Sequence, residues 1–201
     1  YNHDKTFRQE GWRYKLDEKD GELSYNGVVY NEMKGAFSSP EGVLDRVVLN
    51  TLFPDNCYAN ESGGDPEVIP QLTYEQFLDF HRTYYHPSNS YIYLYGDMDM
   101  EEKLRWLDEE YLCHYDKKDV NSEIHLQKPF DEVQEKTFEY SIASDESTEE
   151  NTFLSYNKVI GTTLDRELYQ AFEILDYALL SAPGAPLKKA LTDAGIGKDI
   201  M

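Results

Sequence analysis

Basic residues are scarce in this chain of 201 residues: 19 Lys and Arg stand against 39 Asp and Glu, a formal net charge of −20. That balance argues against a nucleic-acid partner, whose phosphates need Lys and Arg, and against an anionic membrane surface. A solvated acidic coat that resists self-association is the plain reading of the charge. Cysteine is scarcer still. Cys57 and Cys113 lie far apart, without CxxC or metal-type spacing, and are expected to be reduced thiols buried among apolar neighbours. No apolar run approaches the roughly 20 residues that span a bilayer, and no signal peptide opens the chain. Apolar and aromatic residues are plentiful, at 40% and 14% with 17 Tyr and 9 Phe, which is too much buryable surface for a disordered chain. The length suits one to two domains.

The common catalytic signatures are missing. There is no HExxH, no inverted HxxEH and no serine in a GxSxG elbow. Gly63-Gly64 lacks the lysine and helix start of a phosphate loop. The acidic run Asp145–Glu150 lacks the order of a calcium loop. His81 and His86, five apart, would point about 140° apart around a helix; Pro87 ends that helix, so a shared metal is not expected. His3, His114 and His125 are scattered and read as surface or linker positions.

Local signals outline an α+β chain. Trp12–Leu16 and Glu22–Tyr25 read as a strand, a turn over Asp17–Gly21 and a returning strand. The run Val28–Ala36 mixes strand and helix formers and reads as helical. Ser39 caps the next helix with Pro40 at its first position, and Val43, Leu44, Val47 and Val48 form one apolar face. Residues 59–70 read as a loop. Thr73 and Gln76 then make a capping box, with Leu72 and Phe77 as the staple, and the helix ends before Pro87. Tyr91–Tyr95 reads as a strand filled on both faces. Asp99 and Glu102 open a helix through Leu104, Leu107 and Tyr111. Residues 116–129 are polar without period and read as an interdomain linker. Residues 136–143 and 152–159 read as the arms of a hairpin with tip 144–151. Thr163 begins a long helix with Leu164, Leu168, Phe172, Leu175 and Leu179 on one stripe, and a further helix follows Pro183–Pro186. The sum is mostly antiparallel sheet with segregated helices.

Glu32 stands out among the carboxylates because its segment, Val28–Met33, is apolar. A buried carboxylate there needs a partner; the alternative is a surface position on an amphipathic helix, with Lys34 nearby. Residue chemistry leaves both readings open.

Several phrases in order resemble the pitrilysin or insulinase-type metalloproteases, and among them the presequence-protease branch. They are residues 7–14 (FRQEGWRY), 25–35 (YNGVVYNEMKG), 62–66 (SGGDP), 72–75 (LTYE), 80–89 (FHRTYYHPSN) and 183–189 (PGAPLKK). The resemblance spans essentially the whole chain. It implies a zinc endopeptidase in which HxxEH supplies two histidine ligands and the activating glutamate, and it places the third zinc ligand at Glu32. The two histidines would lie upstream of Tyr1. The chain opens on Tyr1 and stops at Met201 just after a helical stretch, so it is expected to be an internal piece that is inactive alone. The resemblance further implies a clamshell metalloprotease domain with helices packed on one face of the sheet. Residues 1–115 would close the first, zinc-binding domain, 116–129 would link, and 130–201 would open a similar non-catalytic domain. The implied partners are unstructured peptide substrates and the remaining domains of the polypeptide, with neither nucleic acid nor membrane. The compartment is not encoded here: cytoplasm is expected of a bacterial parent, and an organellar matrix of a eukaryotic one. The competing expectation is a catalytically inactive structural homologue of the same fold; an acidic binding module would leave the ordered phrases to chance.

Overall fold

The phrases that carry the resemblance fold into a chain of helix starts and tight turns. The computed structural model describes residues 3–149, 151–197 and 199–200. Tyr1, Glu150 and Met201, used above for the chain ends and the acidic tip, lie outside the described residues. The element order is α1 (Asp4–Thr6), a π turn (Phe7–Gly11), β1 (Arg13–Lys15), β2 (Ser24–Asn26), α2 (Val28–Ala36), α3 (Pro40–Leu52), α4 (Tyr74–Tyr84), α5 (Met100–Glu110), α6 (Arg166–Asp176), a π turn (Tyr177–Ser181) and α7 (Pro186–Asp193), with short 3-10 turns between them.

The capping signals hold. Ser39 Oγ accepts from Gly42 N at 3.0 Å, with Pro40 in the first turn. Thr73 and Gln76 form the reciprocal box: Gln76 N donates to Thr73 Oγ1 at 3.2 Å, and Thr73 N to Gln76 Oε1 at 2.8 Å. Asp99 Oδ1 accepts from Glu102 N at 3.0 Å. Such side chains satisfy amides that the first turn of a helix cannot pair internally.

The sheet is smaller than expected. Among the described residues it is one antiparallel pair, β1 with β2, in which Tyr14 faces Tyr25. Tyr91–Tyr95 forms no strand, and Tyr91 and Tyr93 are 104% and 85% exposed. The arms 136–143 and 152–159 carry no ladder either, although Tyr140 meets Phe153 edge-on at 5.7 Å and its hydroxyl donates to Asn151 O at 2.5 Å. One physical reason covers both departures. A strand exists only through hydrogen bonds to a neighbour, and among the described residues neither segment has a ladder partner. Helix α6 also starts later than Thr163: Asp165 caps it by accepting from Leu168 N at 3.0 Å, which leaves Leu164 outside the helix.

The chain divides into two compact units, residues 1–156 and 157–201. In the first, aromatic rings pack against one another. Trp12 lies edge-on to Tyr14 and Tyr25, at 5.5 and 5.8 Å, and Phe7 meets Phe77 at 5.6 Å. Among the described residues its buried apolar residue is Ile69, and in the second unit it is Ala185. The chain exposes 17187 Å², whereas a folded monomer of 23.4 kDa exposes about 9,700 Å². The cysteines follow from this thin core. Cys57 and Cys113 are free and exposed, not buried, because each sits in a short turn just after a helix and the neighbouring rings pack elsewhere, Tyr58 on Phe53. Among the described residues no helix is long and apolar enough to cross a membrane.

Candidate functional site around Glu32

Helix α2 is held at its start by a close backbone crossing. A Cβ on Gly27 would stand 2.1 Å from Gly11 O and 2.8 Å from Trp12 Cα, so only glycine lets β2 turn into the helix there. One face of α2 docks through Tyr30, whose ring meets Tyr25 at 5.9 Å. Another docks through Met33, whose Sδ would lie 2.1 Å from a Cβ on Gly63.

That second contact joins two of the sequence phrases. In the 62–66 loop, Gly64 takes φ +92°, a left-handed conformation suited to glycine. Asp65 organises the rest. Its Oδ1 accepts from Glu67 N at 2.8 Å, its carbonyl accepts from Val68 N and Ile69 N, and its Oδ2 pairs with Arg46 at 3.2 Å. Arg46 in turn lies over the Phe37 ring at 4.0 Å, just beyond the end of α2. The loop therefore braces α2 from one side and the aromatic cluster braces it from the other.

Glu32 lies about 200° around the helix from Tyr30 at 100° per residue, away from the cluster. Its neighbours one turn back are Val28 and Val29, 44% and 36% exposed. One turn on are Gly35 and Ala36, and nothing lies within 4 Å of a Cβ placed on Gly35. Glu32 is itself exposed. Among the described residues its carboxylate makes no hydrogen bond or ion pair, and Lys34 does not pair with it. One uncommitted carboxylate thus stands on an open apolar helix face.

The histidines take local roles. His81 stacks on Tyr85 at 4.7 Å. His86 Nδ1 accepts from Ser88 N at 3.1 Å, and its ring meets Tyr115 edge-on. Among the described residues no three His, Cys, Asp or Glu side chains gather in a way that could hold a metal. Glu32 fits the role of a single oxygen donor, and among the described residues no companions gather beside it. Sequence reasoning missed the bracing set, Gly27, Gly63 and Asp65, as structural parts of the site. The paired glycines and the Asp-Pro step signalled a loop but not what it packs against.

Comparison with known proteins gives this geometry a family. Residues 71–201 match the family described as Peptidase M16 inactive domain. "Protein HypA" of Clostridium perfringens is 52% identical over 200 residues, covering 100% of this chain and 21% of that protein. "Presequence protease 1, chloroplastic/mitochondrial" of Arabidopsis thaliana is 40% identical over 199 residues, 98% of this chain and 18% of its own length. "Presequence protease, mitochondrial" of Mus musculus is 35% identical over 201 residues, 96% of this chain and 19% of its own length. The chain spans about a fifth of the length of the curated relatives it matches. It belongs to the peptidase M16 family, as a presequence-protease-like segment.

Proposed function

We propose that the protein containing this chain is a zinc-dependent endopeptidase acting on unstructured peptides, with Glu32 as one of its metal ligands. The observation that carries this reading is the lone carboxylate on the open apolar face of α2. Covering that face with more protein desolvates the carboxylate, which costs several kcal/mol unless a cation compensates it. A zinc ion held by two histidines from elsewhere in the polypeptide is such a cation. A zinc ion held there would supply an acidified water and polarisation of a substrate carbonyl. This chain's own part is to hold one oxygen donor still: Gly27 seats the helix, Met33 and the Asp65 loop brace it, and Glu32 points from its far side.

Domain organisation follows the same reading. Residues 1–115 belong to the zinc-binding domain, 116–129 join it to the next, and 130–201 open a second, similar domain. The two line a closed chamber that admits extended peptides and excludes folded proteins. The charge of −20 favours basic peptides. The test is hydrolysis by the full-length protein of an unstructured basic peptide beside a stable folded protein of similar composition. Cleavage of the peptide alone supports the chamber; cleavage of both, or of neither, removes it.

A second reading, a homologue kept for its structure and without catalysis, is favoured by the description of the matched family as an inactive domain. That match covers residues 71–201 and leaves Glu32 outside it. A well-folded full-length protein that binds no zinc would establish this second reading.

A further inference from the structure

Helix α4 ends without the glycine that commonly closes a last turn; Tyr85, the residue after it, keeps φ at −86°. Its four final carbonyls are nonetheless all engaged. His81 O accepts from Tyr85 N at 2.9 Å, and Tyr84 O from His86 N at 3.1 Å. Asn89 Nδ2 gives Tyr84 O a second bond at 3.0 Å. The other two carbonyls, of Arg82 and Thr83, accept from one ammonium group, Lys118 Nζ, at 3.0 and 3.4 Å. Lys118 lies 36 and 35 positions downstream of them. Its charge meets the negative end of the helix dipole.

The contact does not stand alone. Lys118 N donates to Ser88 Oγ at 3.1 Å, and Ser122 Oγ donates to Asn89 Oδ1 at 2.6 Å. A few residues on, Gln127 makes a two-bond pair with Asp55 in the turn after α3. Asp55 N donates to Gln127 Oε1 at 2.9 Å, and Gln127 Nε2 donates to Asp55 Oδ2 at 2.6 Å. Asn56 Nδ2 adds a bond to His125 O at 3.3 Å. A stretch that reads in sequence as a free polar linker is fastened at one end to α4 and at the other to α3.

We propose that residues 118–127 are a strap that ties the end of α3 to the end of α4, closed by the Lys118 ammonium and the Gln127–Asp55 pair. Each fastening is exposed and weak by itself. Two fastenings on one short segment act together, because closing one raises the effective concentration of the other. The strap therefore has a signature that separate surface contacts lack: loosening either end loosens both.

The test is peptide-resolved hydrogen exchange on the full-length protein, comparing the parent sequence with Lys118→Met, Lys118→Arg and Gln127→Ala. Lys118→Met keeps the apolar stem and removes the charge; Lys118→Arg keeps the charge. The expected result is faster exchange over residues 83–90 and 117–127 in Lys118→Met, by about two- to fivefold, the loss of one exposed charge–dipole contact. Lys118→Arg should stay near the parent rate. Gln127→Ala should speed exchange over residues 117–122 as well as at its own end. The strap is overturned if residues 117–127 already exchange at unprotected rates in the parent. It is also overturned if Lys118→Arg behaves like Lys118→Met, or if Gln127→Ala leaves the Lys118 end unchanged.

Discussion

Gly27→Ala and Gly63→Ala place the same atom at the same distance from an obstacle, yet they should differ widely in cost. In each, the new Cβ stands 2.1 Å from the nearest heavy atom. At Gly27 that atom is Gly11 O, with Gly11 C at 2.7 Å and Trp12 Cα at 2.8 Å behind it. All three are backbone. A carbon resting on a carbonyl oxygen needs about 3.3 Å, so α2 must lift by about 1.2 Å or the β1–β2 pair must give. At Gly63 the obstacle is Met33 Sδ, with Met33 Cε at 3.0 Å, on an unbranched side chain that can change rotamer. Overpacking costs about 1–3 kcal/mol; Gly27→Ala should fall at the upper end and Gly63→Ala at about 1 kcal/mol or less. At 1.4 kcal/mol per tenfold, exchange over residues 24–36 should rise about 100-fold in the first variant and about fivefold or less in the second. The readout is hydrogen exchange on the full-length protein. Equal effects would refute the claim that backbone crossing, rather than side-chain packing, seats the Glu32 helix. A displacement of about 1 Å also matters chemically, because misplacing a reacting group by that much can cost about 10²-fold in rate.

Other outcomes follow from single features. Thr73→Ala removes one half of the α4 capping box and should cost about 1 kcal/mol, read as faster exchange in the first turn of α4 with α5 unchanged. The chain taken alone exposes 17187 Å², well above the value for a folded monomer of its mass, so it should self-associate or unfold without a sharp transition; a cooperative melt of a dilute monomer would contradict this. Cys57 and Cys113 are exposed and should both react with a maleimide in the isolated chain without denaturant, whereas protection of either would contradict its placement.

How much was legible from sequence divides along the range of the interactions. The caps at Ser39, Thr73 and Asp99 were readable because donor and acceptor lie three residues apart. The hairpin β1–β2 was readable because its partners flank one turn. Tyr91–Tyr95 has the composition of a buried strand, but a strand needs hydrogen bonds from elsewhere in the chain, and among the described residues it finds none. Leu164 kept the apolar spacing of α6, yet Asp165 captured the helix start. The α4 cap at Lys118 was illegible because 35 residues separate a lysine in a polar stretch from the carbonyls it serves. Glu32 was ambiguous on chemistry alone, and the resemblance singled it out. The open apolar face around it became visible only once the helix had a direction.

The most direct test of the central claim is zinc content together with peptide hydrolysis, measured on the full-length protein and on its Glu32→Gln variant, which keeps the shape and removes the charge. The account predicts one zinc per chain in the parent, with weakened zinc binding and lost hydrolysis in the variant while its fold is retained. A variant that holds zinc as tightly and cleaves as fast as the parent would contradict the assignment of Glu32 to the metal.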